Sequence, residues 1–118
     1  MKYVIFGILL ALSINTYSQN NSCEELMDFI KTKGYYSTSL SNYTMDSSWL
    51  RKVTKYTYEY KNYIIAEIKE SEYSYSTKKY IFCEIPDSNW RSFQNGGYGD
   101  SYGERFWKYI KDYQCNCD

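Results

Sequence analysis

Four cysteines are the residues best suited to chemistry in this chain of 118 residues, which contains no histidine. They are Cys23, Cys83, Cys115 and Cys117. An even number of cysteines in a small exported chain is typical of disulfides, although four cysteines allow three pairings. Because joining distant parts of a chain restricts its unfolded state most, we expect Cys23 to pair with the tail. The alternative is a zinc site at Cys115 and Cys117, which the one-residue spacing and the lack of histidine disfavour, so we expect no metal and no cofactor.

The first residues resemble a secretory signal peptide. Lys2 supplies a positive charge, an apolar run from Val4 to Leu12 follows, and polar residues then lead to a cleavage site between Ser18 and Gln19. The run is too short for a stable membrane anchor. A buried first helix is the alternative, and Cys23 lies too far behind the run for lipidation. We therefore expect residues 1–18 to be removed and the rest to be periplasmic or secreted, with no stable membrane anchor.

Size and charge limit the function. Removal of residues 1–18 leaves 100 residues, enough for one small domain with a modest core. The chain has 14 basic and 14 acidic residues, so the loss of Lys2 leaves a formal charge of −1. A chain without a basic excess is poorly suited to phosphate backbones or anionic lipids, which makes nucleic acid an unfavoured partner.

Tyrosine is unusually abundant, with 16 in the whole chain. A tyrosine ring can pack in a core, stack on a ligand or fill a pocket of a partner. Those near the ends of predicted strands are our candidate ligand-stacking residues, with an ordinary amphipathic surface as the alternative: Tyr58, Tyr60, Tyr63, Tyr73 and Tyr75.

Catalytic and phosphate-binding patterns are weak. The carboxylates Asp46, Glu84, Asp100 and Glu104 follow no motif that places two of them together, and a cysteine nucleophile lacks its usual histidine base. We therefore predict no catalytic residues. Three glycines precede the final helix without the lysine of a phosphate-binding loop, so we interpret them as a turn: Gly96, Gly97 and Gly99.

The first predicted element is a helix that starts at Ser22, where Ser22 and Glu25 match the pattern of a capping box, and ends at Gly34. Its apolar stripe is predicted to include Leu26, Phe29 and Ile30, with Glu24, Asp28 and Lys31 facing water. Residues 35–48 have no clear period and are predicted to form a loop or an irregular strand.

β-Branched and aromatic residues then predict three strands, at 49–58, 63–69 and 79–85, the first two joined by a turn at 59–62. The alternation of side chains predicts one packed face and one partly exposed aromatic face. Pro86 ends the third predicted strand, and Asp87 or Ser88 is predicted to cap a short helix that carries Trp90 and Phe93. A capping box at Ser101 and Glu104 then predicts the start of a last helix. The inner face of that helix is predicted to carry Tyr102, Phe106 and Ile110. The expected fold is α+β: a small antiparallel three-stranded sheet packed with an N-terminal helix and one or two C-terminal helices.

Several segments resemble the KTSC domain family in order and spacing. They are Asp46 to Tyr56, Tyr80-Ile81-Phe82, Pro86 to Phe93, and Ser101 to Phe106. The resemblance covers residues 46–111, with an added helix and loop at 19–45 and a cysteine tail at 112–118. The family includes small exported bacterial proteins, and RNA binding has been suggested for it. Phe82 replaces a tyrosine of the family pattern. The motif residues are Ser47, Ser48, Val53, Tyr56, Tyr80, Phe82, Pro86, Trp90, Phe93, Ser101, Gly103 and Phe106.

Three functions follow from these observations. The favoured one is a non-enzymatic module that binds a protein or glycan outside the cytoplasm, which a row of exposed tyrosines would support. RNA binding, with Tyr80 and Phe82 stacking on bases, needs a continuous stripe of basic residues; the alternative for these two rings is packing under the last helix. That stripe would run through Lys52, Lys55, Lys61, Lys78 and Lys79. A small secreted enzyme needs two carboxylates that converge in a pocket.

Overall fold

A computed structural model describes residues 21–71, 73–96 and 99–117. The signal-peptide prediction for residues 1–18 falls outside these ranges. The elements are the helix α1 (Asn21–Lys33), the strand β1 (Tyr35–Ser41), a short helix α2 (Asn42–Met45), the strands β2 (Leu50–Tyr58), β3 (Lys61–Lys69) and β4 (Thr77–Cys83), the helices α3 (Asp87–Asn95) and α4 (Tyr102–Tyr109), and a 3₁₀ turn (Lys111–Tyr113). No helix in the described ranges is long and apolar enough to cross a membrane.

The predicted α+β class and antiparallel sheet are confirmed, but the predicted number of three strands is wrong. The sheet has four strands in the order β1-β2-β3-β4, each antiparallel to its neighbour. The additional strand is β1, in the segment for which a loop or an irregular strand was expected. Its pairing with β2 shifts register between Tyr36 and Thr38, which is a β-bulge. The strand carries one large aliphatic residue, Leu40, so pairing with β2 rather than an apolar period defines it.

Helices lie on both faces of the sheet, where one packed face and one partly exposed aromatic face were predicted. The helices α3 and α4 cover one face, and the larger core lies between them and the sheet. Phe106 of α4 contacts Phe82 of β4 and Phe93 of α3, with ring centroids 5.3 and 5.9 Å apart. This core contains Met45, Leu50, Val53, Ile64, Ala66, Phe82, Ile85, Trp90, Phe93, Phe106 and Ile110.

The helix α1 lies on the other face, over a smaller buried cluster of Cys23, Met27, Ile30, Ile65 and Ile81. Its predicted stripe is rotated, because Cys23 and Met27 face the sheet with Ile30 while Phe29 is 42% exposed. Glu24, Asp28 and Lys31 face water as expected. Gly34 follows the last residue of the helix, as predicted, but Ser22 lies inside α1 and not at a cap.

Two disulfides hold the tail against this second face. Cys23 pairs with Cys117, as expected, and Cys83 pairs with Cys115. The tail also joins the sheet, because the backbone N–H of Cys115 donates to the carbonyl of Ile81 over 3.1 Å. The two cross-links therefore connect α1, β4 and the tail around one corner of the molecule.

A side-chain cap explains where α4 begins, whereas α3 begins without one. The capping box of α4 is present: Ser101 Oγ accepts from the N–H of Glu104, and the Glu104 carboxylate accepts from the N–H of Ser101. The helix α3 begins after Pro86 without a side-chain cap, so the cap predicted at Asp87 or Ser88 is wrong. Asp87 instead accepts a 2.6 Å hydrogen bond from the buried amide of Asn62, which ties α3 to the start of β3.

Candidate binding surface

The turn between β2 and β3 presents a tyrosine. Tyr58 pairs with Lys61, so the turn consists of Glu59 and Tyr60 alone. Both have positive φ angles, 50° and 68°, which is the geometry of a two-residue turn that favours Asn and Gly. The Tyr60 side chain is 103% exposed. Two consecutive non-glycine residues in the left-handed region are strained. The turn that exposes the phenol ring of Tyr60 therefore costs stability.

Other aromatic side chains lie beside this turn on the α1 side of the sheet. Phe29 of α1 contacts Tyr58 edge to face, with centroids 5.1 Å apart and planes at 84°. Tyr56 and Tyr63 are opposite each other on β2 and β3. We call Phe29, Tyr56, Tyr58, Tyr60 and Tyr63 the hairpin patch. It combines three elements that are separate in the sequence, α1, β2 and β3.

Charges at the edge of the hairpin patch affect one of its phenols. Burial raises the pKa of Tyr63, the Glu84 carboxylate raises it further, and the Lys61 ammonium opposes the rise. Lys61 and Glu84 themselves form an exposed ion pair, with Nζ and Oε1 3.6 Å apart. Burial and then Tyr36 raise the pKa of Tyr56. Both hydroxyls are therefore neutral at physiological pH and able to donate hydrogen bonds to a ligand.

The five candidate tyrosines do not form one row. Tyr58, Tyr60 and Tyr63 lie together in the hairpin patch, whereas Tyr73 and Tyr75 lie in the loop that precedes β4. The nine residues of β3 separate the two groups, a distance of about 25 Å. Tyr73 and Tyr75 are almost fully exposed and serve as natural controls for the hairpin patch.

Most residues that carry the resemblance to the KTSC family are buried or half-buried. The core contains Val53, Phe82, Trp90, Phe93 and Phe106, and Tyr80 packs against it from a half-buried position. Phe82 packs under α4, as the alternative to base stacking predicted, and its buried ring is not available to stack on a base. Tyr56 belongs to the hairpin patch, and Pro86 stands at the N-cap of α3.

The smaller motif residues shape turns and contacts. Ser47 Oγ accepts from the N–H groups of Trp49 and Leu50 at 3.2 and 3.0 Å, while Ser48 is exposed. Ser101 is the cap of α4. A side chain at Gly103 would meet the indole nitrogen of Trp49 at 2.8 Å, so glycine allows Trp49 to pack against α4.

The glycine segment before α4 is filled by a side chain of the protein itself. Gly96 has a φ of 61°, and a Cβ there would overlap the Arg105 guanidinium at 2.4 Å. Arg105 Nε donates to the carbonyl of Phe93 over 2.9 Å, Nη1 donates to the carbonyl of Asp100, and the guanidinium stacks on Tyr102. The predicted turn agrees with this geometry, in which Arg105 fills the space beside Gly96. Gly97 lies outside the described residues, and Gly99 has a positive φ of 84°.

The basic residues do not form the continuous stripe that nucleic-acid binding needs. Lys52 and Lys79 lie on the α1 side with Glu67 between them in register. Lys55 lies on the opposite face, with Nζ 5.8 Å from the Trp90 ring. Lys61 is paired with Glu84 at the hairpin, and Lys78 follows the alternation of β4 to the face opposite Lys79.

The candidate carboxylates are likewise dispersed. Asp46 follows α2, Glu84 pairs with Lys61, Asp100 pairs with Lys108 at 3.3 Å, and Glu104 caps α4. Across residues 21–71, 73–96 and 99–117, no group of three or more Cys, Asp or Glu side chains is placed to hold a metal ion. All four cysteines are in disulfides.

A groove of about 430 Å³ runs between α1 and the first half of β4. Both acidic and basic residues line it, so no single charge dominates. Its lining residues are Glu24, Met27, Asp28, Lys31, Thr77, Lys78, Lys79 and Tyr80.

The hairpin patch contains one residue that the sequence pattern misplaced. Helical spacing assigned Phe29 to the buried stripe, whereas the disulfide at Cys23 and the packing of Met27 rotate it to the surface. The sequence signal that indicated exposure of Tyr60 was its position in the short turn between Tyr58 and Lys61. Comparison with protein-family models, curated proteins and solved structures gave no match.

Proposed function

We propose that this chain is an exported, non-enzymatic module that binds a protein partner through the hairpin patch. The observation that carries the proposal is Tyr60, a fully exposed ring on a strained two-residue turn beside the contact between the exposed Phe29 and the half-buried Tyr58. Strained backbone in a folded protein concentrates at functional sites. Tyrosine is also enriched among the residues that dominate binding energy at protein interfaces.

The shape of the site favours a protein over a small ligand. Small molecules bind in concave sites that enclose most of their surface. Tyr60 protrudes from a hairpin tip, and a protruding ring fits a pocket on a larger partner. Phe29 and Tyr58 lie beside it as an apolar surface with the Lys61–Glu84 ion pair at the margin, an arrangement of apolar centre and polar rim that is common in interfaces.

Export is part of the same proposal. The charged, apolar and small-residue order of residues 1–18 supports it. The two disulfides support an oxidising compartment, since disulfides persist in periplasmic and secreted proteins. Membership of the KTSC family stays a proposal based on the motif residues. Neither RNA binding nor catalysis has a specific observation in its favour among the described residues.

Site-specific photo-crosslinking in the native host tests the proposal. A photoreactive phenylalanine analogue replaces Tyr60 in one variant and the equally exposed Tyr73 in a matched control. We expect Tyr60 to give one discrete protein adduct and Tyr73 to give none. The partner identified from the adduct should bind the purified chain with a Kd raised at least tenfold by Tyr60→Ala, a loss of about 1.4 kcal/mol or more.

Two outcomes would contradict the proposal. Equal adducts from both positions would indicate contact without specificity. The absence of an adduct from Tyr60, combined with binding of a purified oligosaccharide that Tyr60→Ala weakens, would replace the protein partner with a glycan.

A further inference from the structure

The two edges of the sheet differ in protection. The edge strand β4 is paired with the tail near Cys115 and carries Lys78 and Lys79 along the rest of its length. Lysines on an edge strand oppose pairing with another strand. The other edge strand, β1, lies in a stretch with no charged residue from position 34 to position 45. No charged side chain of β1 opposes pairing.

The backbone of β1 has hydrogen-bonding groups that point away from the sheet. In a hairpin with a two-residue turn, the flanking residues Tyr58 and Lys61 form a hydrogen-bonded pair, and alternate residues of β2 then point to β3. Val53 and Lys55 therefore point to β1, where their partners are Leu40 and Thr38. The N–H and C=O groups of Ser39 consequently face outward, whereas Ser41 is the N-cap of α2 and its carbonyl accepts the first hydrogen bond of that helix.

Exposed tyrosines flank this open edge on both sides of Ser39. Tyr35 and Tyr36 are 81% and 65% exposed, and Tyr43 at the start of the next element is 93% exposed. Tyr35 and Tyr43 are each four residues from Ser39. A two-fold axis through Ser39 would therefore bring the Tyr35–Tyr36 end of one strand close to Tyr43 of a second copy. Such self-complementarity is the mark of a symmetric dimer interface.

We propose that two copies of this chain associate through their β1 strands to form a continuous antiparallel sheet of eight strands. Ser39 of each copy pairs with Ser39 of the other, and Leu40 lies opposite Thr38 of the second copy on the α3–α4 side. The bulge before Thr38 restricts regular pairing to the second half of β1, so the tyrosines at both ends supply much of the buried apolar area.

This dimer goes beyond the proposed function and leaves Tyr60, at the tip of the hairpin patch, free, while Tyr56 of the patch contacts an interface residue, Tyr36. The two patches lie at opposite ends of the combined sheet, because paired β1 strands run antiparallel. One dimer therefore presents two binding sites, and a partner that carries two copies of its own site would gain from bivalent attachment.

Sedimentation of the oxidised protein over micromolar to millimolar concentrations tests the dimer. Ser39→Pro removes an outward N–H and leaves the pairing with β2 intact, since proline is tolerated on an edge whose N–H faces solvent. Ser39→Ala controls for the 3.1 Å hydrogen bond between Ser39 Oγ and Thr54 Oγ1. Lys79→Pro makes the equivalent change at the protected edge.

We expect the unmodified protein, Ser39→Ala and Lys79→Pro to dimerise, and Ser39→Pro to stay monomeric. If Ser39→Pro fails to fold, Tyr43→Ser tests the same interface without a change in β1, and it should raise the dimer Kd roughly tenfold or more. An unmodified protein that is monomeric throughout, or a dimer that tolerates Ser39→Pro and Tyr43→Ser, overturns the proposal. Neither result depends on the partner of the hairpin patch.

Discussion

The two faces of the sheet are stabilised in different ways. On the α3–α4 side, helices with interlocking aromatic rings bury a large cluster in which Phe93 and Phe106 are almost completely inaccessible. On the α1 side, a single helix covers a cluster of five buried residues, and both disulfides attach to this side. In a chain of this size, packing is sufficient for one face while covalent links hold the other. The face with less packing is also the one that displays the hairpin patch.

The largest expected difference between the faces is in the cost of removing a phenylalanine. Phe106→Ala leaves a cavity among Trp49, Phe82 and Phe93 and should lower the free energy of unfolding by about 3–5 kcal/mol. Phe29→Ala on α1 is the matched control. This substitution should lower the free energy of unfolding by less than about 1.5 kcal/mol because the ring is partly exposed. Urea denaturation of both variants provides the measurement. Equal losses would show that the two faces depend on packing to the same degree.

Removal of the disulfides should sharpen the comparison. The Cys23–Cys117 link has a sequence separation of 94, compared with 32 for Cys83–Cys115. Loop-closure entropy predicts that Cys23→Ser with Cys117→Ser lowers the free energy of unfolding by about 1 kcal/mol more than Cys83→Ser with Cys115→Ser. Thermal unfolding of the two double variants measures this difference. The reverse order would mean that strain or residual structure outweighs the entropy of the unfolded chain.

The smallest expected effect is a pH dependence that comes from two tyrosines on the α1 face. The pKa values of Tyr56 and Tyr63 are raised in the folded protein, so both phenols ionise first in the unfolded chain, near pH 10. The resulting stabilisation is complete below about pH 10 and is lost as the pH rises through the raised folded pKa. Tyr63→Phe should therefore reduce the loss of stability above pH 10.

Tyr75→Phe is the control for this pH dependence, since Tyr75 lies in a loop and is almost fully exposed. Stability measured by urea denaturation at a series of alkaline pH values distinguishes the two variants. A Tyr63→Phe variant with an unchanged alkaline slope would contradict the assignment.

Local signals predicted much of the fold. The capping box at Ser101 fixes where α4 begins, and it is present in the structure. The pairing of Cys23 with the tail followed from chain entropy and is also present. The strands β2, β3 and β4 lie within two residues of their predicted positions at their first residues, because β-branched and aromatic residues are concentrated there.

Tertiary contacts explain the failures. The strand β1 has no apolar period, so only its pairing with β2 identifies it. The rotation of α1 depends on the disulfide at Cys23, which helical spacing alone does not include. For the binding surface, the sequence indicated Tyr58, Tyr60 and Tyr63 near strand ends, but it placed Phe29 in the core and did not separate the hairpin tyrosines from Tyr73 and Tyr75.

Hydrogen exchange measured by mass spectrometry before and after reduction tests the central claim most directly, namely that covalent links hold the face that binds. On reduction, we predict faster exchange in the amides of α1 and unchanged protection in α4 and the centre of β3. The photo-crosslink from Tyr60 should disappear in the reduced protein. Retained protection of α1, or an equal loss of protection in α1 and α4, would contradict the account.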